Sequence, residues 1–195
     1  MDLIIGLIVA VKSLVFMGGY ISPDKIPATI SDMRIHVTQL DIRVSCTVSH
    51  AFARDLRKLA QSGTPILLYV FTQVKQADND SLVTTTVVEN RLVYDLARKK
   101  YFMKQNIVND TLSFADPDSA LAAASTFAMI PVLAKDRTVP DKSYYFITWA
   151  VLGKTRVEAL GNKDIDLMYF WDYKRPTLRT DPFRGTQLLA LPARR

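Results

Sequence analysis

Ile66 to Val74 reads ILLYVFTQV, with apolar residues at positions that point to both sides of a strand. A strand of that kind is covered on both faces and sits in the middle of a sheet. Leu68 and Val70 are expected to bury almost completely. Tyr69 and Phe71 are expected to bury on the opposite face. Exposure of that second face would instead mark an apolar surface suited to a partner or a ligand.

The flanking segments carry β signal too. Met33 to Thr38 and Ile42 to Ser49 alternate apolar and polar residues, the mark of strands with one buried and one wet face. Gln39 to Asp41 is the bend between them. Leu82 to Val88 is rich in β-branched residues and reads as a strand returning from the polar turn Asp78 to Ser81. Asn90 to Leu96 and Lys100 to Met103 continue the sheet around a bend at Ala97, Arg98 and Lys99. Thr111 to Phe114 reads as an edge piece, and Tyr144 to Leu152 as the last strong strand.

Two segments switch to the helical period. In Ala51 to Ser62, Phe52, Leu56 and Leu59 fall at i, i+4 and i+7. Gly63 supplies a stop, and Pro65 prevents continuation. Asp116, Pro117 and Asp118 form a helix start, with a capping carboxylate and a proline at the first position. Leu121, Ala124 and Phe127 give this helix its buried stripe, and Pro131 ends or kinks it. The predicted class is mainly β (α+β): an antiparallel β-sandwich-like sheet with two helices.

The N-terminal segment differs from the rest. Leu3 to Phe16 is nearly unbroken apolar sequence, with polar residues from Ser22 onward. This is the length of a signal-peptide core. Lys12 interrupts it and no A-x-A site follows, so a cleaved signal and a short membrane anchor both stay open. Residues 1–20 are thus read as a signal or anchor, 28–173 as a single β-rich domain, and 174–195 as an irregular basic tail.

A net charge of +6 favours anionic partners, but the basic residues are dispersed and read as solvated surface. One cysteine, Cys46, excludes an internal disulfide and a CxxC pair. Its place in the alternation of Ile42, Val44 and Val48 turns it into the core, where a thiol is inert.

Four segments carry a family likeness: the paired N-terminal strands with the helix ending in Ser62-Gly63-Thr64-Pro65-Ile66; Arg91 to Leu96 followed by Tyr101; Ser113-Phe114 leading into the alanine-rich helix and Ile130 to Leu133; and Tyr169 to Asp172. In these the chain resembles a bacterial exported family catalogued as domain of unknown function 4390. The resemblance implies export and no known activity. The Lys174 to Arg184 extension departs from the family pattern, in which the chain ends near the tryptophan.

Few residues suggest chemistry. His36 sits at a wet-facing strand position and His50 at a strand-to-helix junction, and two isolated histidines do not make a zinc site. No G-x-S-x-G elbow surrounds Ser49 or any other serine. Asp164, Asp166 and Asp172 lack the glycine-bearing loop of an EF-hand. Tyr94 packs, and Asp95 ends its strand. No catalytic, cofactor-binding or metal-ligating residue is assigned. The candidate binding patch is Tyr169, Trp171, Tyr173, Lys174 and Arg175, aromatics beside cations that suit a membrane interface or single-stranded nucleic acid. The same residues also suit a strand packed on the sandwich.

The expected function is that of a non-enzymatic cell-envelope protein in the bacterial periplasm, either exported or held at the inner membrane by residues 3–18. It acts by binding a protein or envelope component, with no cofactor. The alternatives are a carrier of a hydrophobic ligand held between sheet and helices, and a cytoplasmic nucleic-acid-binding module, the less favoured of the two.

Overall fold

The computed structural model describes residues 26–157 and 163–190. The apolar run from Leu3 to Phe16 lies outside them. No described helix is long and apolar enough to cross a membrane.

The chain opens with an antiparallel hairpin, β1 (Thr29–Val37) and β2 (Asp41–Ser49). Helix α1 (Arg54–Gln61) follows. Then come β3 (Ile66–Gln76), β4 (Leu82–Asp95), β5 (Lys100–Gln105) and β6 (Thr111–Phe114), in which β4, β5 and β6 each pair antiparallel with the strand before. Helix α2 (Pro117–Ser125) leads into β7 (Thr126–Ala134), and a short 3-10 turn into β8 (Ser143–Leu152). β9 (Lys154–Val157) and β10 (Lys163–Asp166) form a separate two-stranded ribbon. A 3-10 helix at Leu167–Trp171, strands β11 (Thr177–Arg179) and β12 (Phe183–Arg184), and helix α3 (Gly185–Ala190) complete the described chain.

Two sheets form the body. The larger has seven strands in the order β11-β8-β3-β4-β5-β6, with β12 also on β8; the smaller is β1-β2-β7. Ile42, Val44, Cys46 and Val48 point from the small sheet into the core, and Leu68, Val70, Val74, Val88 and Leu92 meet them from the large one. Leu56 and Leu59 of α1 and Leu121 and Ala124 of α2 fill the same layer. The Arg57 guanidinium of α1 pairs with Asp118 of α2 across the space between the helices. The fold is therefore an antiparallel α+β sandwich.

Several local expectations hold for the stated reasons. Asp116 caps α2 by accepting from the Ser119 backbone N–H at 2.7 Å, with Pro117 in the first turn. Gly63 ends α1 at φ 86°, a conformation that costs other residues strain. Asp95 Oδ1 accepts from the N–H groups of Ala97 and Arg98, both at 2.9 Å, and so closes the β4–β5 turn.

Others are corrected. Helix α1 starts at Arg54 and not at Ala51. The second helix ends at Ser125, and Phe127 and Pro131 lie on strand β7. Phe127 is fully buried there, so the apolar stripe was real and its period was misassigned. Proline is tolerated because β7 is an edge strand, and its register with β2 shifts on either side of Arg43. Tyr169 to Trp171 belong to a 3-10 helix and not to a strand. The stretch expected to be irregular adds β11 and β12 to the β8 edge and a third α-helix. Such two- and three-residue strands exist only by pairing with a partner already in place, which no local signal records.

Candidate interaction surface

The largest departure concerns the strand that looked doubly covered. β3 is central, paired with β4 on one side and β8 on the other. Leu68 and Val70 are each 1% exposed. The opposite face is only partly covered: Leu67, Tyr69, Phe71 and Gln73 are half-buried, while Tyr145 at the far end of the same face is 1% exposed. The small sheet, α1 and α2 all pack on the first face. Among the described residues no second layer lies over the other.

Register assembles what that outer face displays. Phe71 lies opposite Val87 on β4 and Trp149 on β8; Tyr69 lies opposite Glu89 and Val151; Gln73 lies opposite Thr85 and Ile147. The Phe71 and Trp149 rings stack, with centroids 5.2 Å apart and planes 4° apart. Val87 beside them is 39% exposed. Leu67, Tyr69, Phe71, Ile147 and Trp149 lie outside the core cluster. They form an apolar strip along β3 and β8. Its end is shaped by Gly153, where a Cβ would come within 2.8 Å of Tyr69 Cε2 and 2.9 Å of Leu67 Cβ. Burial, then the Glu89 carboxylate beside it, raises the Tyr69 phenol above its ordinary pKa.

Basic residues flank the strip. On one side Arg91 of β4 lies directly opposite Lys104 of β5, both exposed. Neither is in an ion pair among the described residues. Lys100 follows four rungs on, opposite Asp95, and Arg98 stands over the Phe102 ring at 5.7 Å. On the other side the Arg179 guanidinium of β11 covers the Tyr145 ring at 4.0 Å. Tyr145 also donates its hydroxyl hydrogen bond to Asp80.

A second concavity opens on the inner side. Met103, Val108, Leu112, Ala123 and Ala128, with Gln105, Asp110 and Thr126, line a groove of about 370 Å³ between β5, β6 and the α2–β7 junction. Behind its lining residues Gln105 and Thr126 lies a buried amide: Asn90 Nδ2 donates to the carbonyls of Ala124 at 2.9 Å and Thr126 at 3.1 Å, and its Oδ1 accepts from Gln105 Nε2 at 2.9 Å.

The patch read from sequence divides. Trp171 is 6% exposed and its indole N–H donates to the Ala51 carbonyl at 3.0 Å, so it anchors the 3-10 helix in the core. Tyr169 and Tyr173 are exposed, at 43% and 62%. Lys174 pairs with Asp172 at 2.9 Å, and Arg175 is exposed. Three of these side chains face solvent unpaired by carboxylates, but Trp171 turns away from them. His36 is half-buried rather than wet, its Nε2 enclosed and without a partner; His50 is exposed in a turn at φ 57°. Burial pushes the Cys46 thiol up to about 12. Among the described residues no three His, Cys, Asp or Glu side chains converge as a metal site.

Trp149 and its neighbours were missed because apolar alternation does not say which face gains a covering layer. The available signal was Gly153 at a strand end, which marks close approach by another group.

The family model described as Domain of unknown function (DUF4390) matches residues 26–157. That is most of the chain, and the chain belongs to this family. No curated protein and no solved structure matches it.

Proposed function

We propose that this member of the family is a non-enzymatic protein of the bacterial cell envelope, exported or anchored through residues 3–18, which acts by binding a protein component there. The observation that carries the reading is the uncovered sheet face around the Phe71–Trp149 stack. Contiguous apolar surface of this kind, rimmed by charge, marks interaction sites in monomeric proteins. The hydropathy of Leu3 to Phe16 supports the location. Binding is favoured over catalysis by the state of the reactive groups: the Cys46 thiol is buried with its pKa raised, and His50 stands alone in a turn.

The test uses the full chain in a bacterial host. Fractionation should recover it with the membrane or the periplasm. With Val87 replaced by photoreactive benzoylphenylalanine, illumination in cells should give a discrete adduct that Trp149→Ala abolishes. The same replacement at Leu40, in the exposed β1–β2 turn, should give none. Full-length protein wholly in the soluble cytoplasm, with no adduct from position 87, would overturn the reading.

A second reading is a carrier of a hydrophobic ligand, supported by the apolar groove under α2, which lies between sheet and helix. Mass spectrometry of a solvent extract of the purified protein tests it: a stoichiometric lipid that Ala123→Phe displaces supports the carrier, and its absence removes it.

A further inference from the structure

We propose that the outer face of the large sheet receives one amphipathic helix of a partner protein, lying along β3 and β8, with an apolar stripe on the sheet and acidic residues on both flanks. This rests on the binding role proposed above and names its occupant.

Dimensions and charge carry the inference together. The apolar strip is two strands wide, and from Leu67 to Ile147, which pairs with Gln73, it runs six rungs, about 20 Å at the usual strand rise. A helix covers that length in roughly thirteen residues. Arg179, opposite Ile147, and Arg91, opposite Leu67, stand at opposite ends and on opposite sides of the strip: three strand spacings apart across it, about 14 Å, and six rungs apart along it, roughly 20 Å. A helix with its side chains is about 10–12 Å across, so one lying along the strip passes between these cations, with one near each of its ends. Arg91 and Lys104 stand directly opposite each other, an arrangement that destabilises a sheet when the charges are alike. Carboxylates arriving between them relieve that repulsion.

The same features disfavour other occupants. A second copy would set one basic rim against another. A flat bilayer cannot meet the whole of a twisted sheet.

The experiment uses the full chain in a neutral detergent micelle and two synthetic helical peptides with one leucine-alanine stripe, flanked by Glu in one and Lys in the other. Fluorescence anisotropy should show the Glu-flanked peptide binding at least tenfold tighter at low salt, an advantage that shrinks as salt is added. The paired reversal Arg91→Glu with Lys104→Glu changes only exposed side chains and should invert the preference. Val87→Glu should weaken both peptides. Equal affinity for the two peptides, or a preference the reversal leaves unchanged, overturns the proposal. Concentration-dependent dimerisation abolished by Val87→Glu overturns it in favour of a second copy. Binding of phosphatidylglycerol vesicles lost on the charge reversal, with neither peptide bound, overturns it in favour of a lipid surface. A cellular adduct at position 87 with neither peptide bound overturns the helix alone and leaves the binding role standing. No adduct and no peptide binding remove both.

Discussion

Phe71 and Trp149 are partners across β3 and β8, and their rings stack with planes 4° apart on the side of the sheet away from the core. Each ring screens the other from water on one side only. That is why a face this apolar is compatible with a folded chain before anything covers it: the pair removes part of its own surface from solvent, and an aromatic pair of this kind adds about 0.5–1.5 kcal/mol beyond its area.

The first consequence is for stability. A fully covered Phe71 would cost about 3–5 kcal/mol on truncation. Half-buried as it is, Phe71→Ala should cost about 1–2 kcal/mol. Phe146 is fully buried beneath the same sheet, so Phe146→Ala should cost about 3–5 kcal/mol. Urea denaturation of both variants checks the difference. Equal losses would mean that the outer face is covered in solution.

Gly153 tests how the strip is built. Gly153→Ala brings a methyl against Tyr69 Cε2 and Leu67 Cβ. The tyrosine ring can swing aside, but the Leu67 Cβ is fixed to the β3 backbone. Overpacking of this kind costs about 1–3 kcal/mol. Adding Tyr69→Ala to Gly153→Ala should recover only part of the loss. Complete recovery in a double-mutant cycle would place the whole clash on the ring.

Much of this architecture was legible. Asp116-Pro117, Gly63 and Asp95 act locally, so a few residues suffice to read them. The strand alternation from Ile42 to Val48 also reports directly on burial. The outer face was not legible, because ILLYVFTQV describes what β3 can tolerate and not which layer arrives on each side. The same limit hid β11 and β12, which owe their form to the free edge of β8. It also misplaced Phe127, whose apolar spacing fits a helix stripe and a bulged edge strand equally. Trp171 entered the candidate patch by its neighbours in sequence, while its indole bond to Ala51 joins residues far apart in the chain.

Asp41 sets a pH dependence. The Arg43 guanidinium donates to its two carboxylate oxygens at 2.8 and 3.1 Å, and with the Thr38 hydroxyl it holds the carboxyl below the ordinary range against the opposing effect of burial. The folded pKa is the lower one. The stabilisation is therefore complete above the unfolded value of about 3.9 and disappears as pH falls through the folded value. Asp41→Asn should be less stable than the native chain at neutral pH, and the gap should close in acid. Unfolding midpoints measured from pH 7 down to the acid transition check this. Parallel curves would show that the pair contributes nothing to the acid response.

Asn90 ties Gln105, which lines the inner groove, to the α2–β7 junction. It is 1% exposed, donates to two carbonyls where α2 gives way to β7, and accepts from Gln105. Asn90→Ala leaves those carbonyls unpaired and should cost about 2–3 kcal/mol, in line with the penalty for buried unsatisfied groups. Asn90→Asp keeps the shape but sets a carboxylate against the two carbonyl oxygens. Burial then raises the new carboxyl's folded pKa above its unfolded value. Its folded, protonated form is favoured at pH below the unfolded pKa and penalised as pH rises through the folded one. The Asn90→Asp chain should therefore lie further below native stability at pH 7 than at pH 4, while the Asn90→Ala gap stays constant. Denaturation of the two variants at both pH values decides it. A constant gap for Asn90→Asp would mean that the carbonyls of Ala124 and Thr126 turn away from the substituted side chain and take other partners.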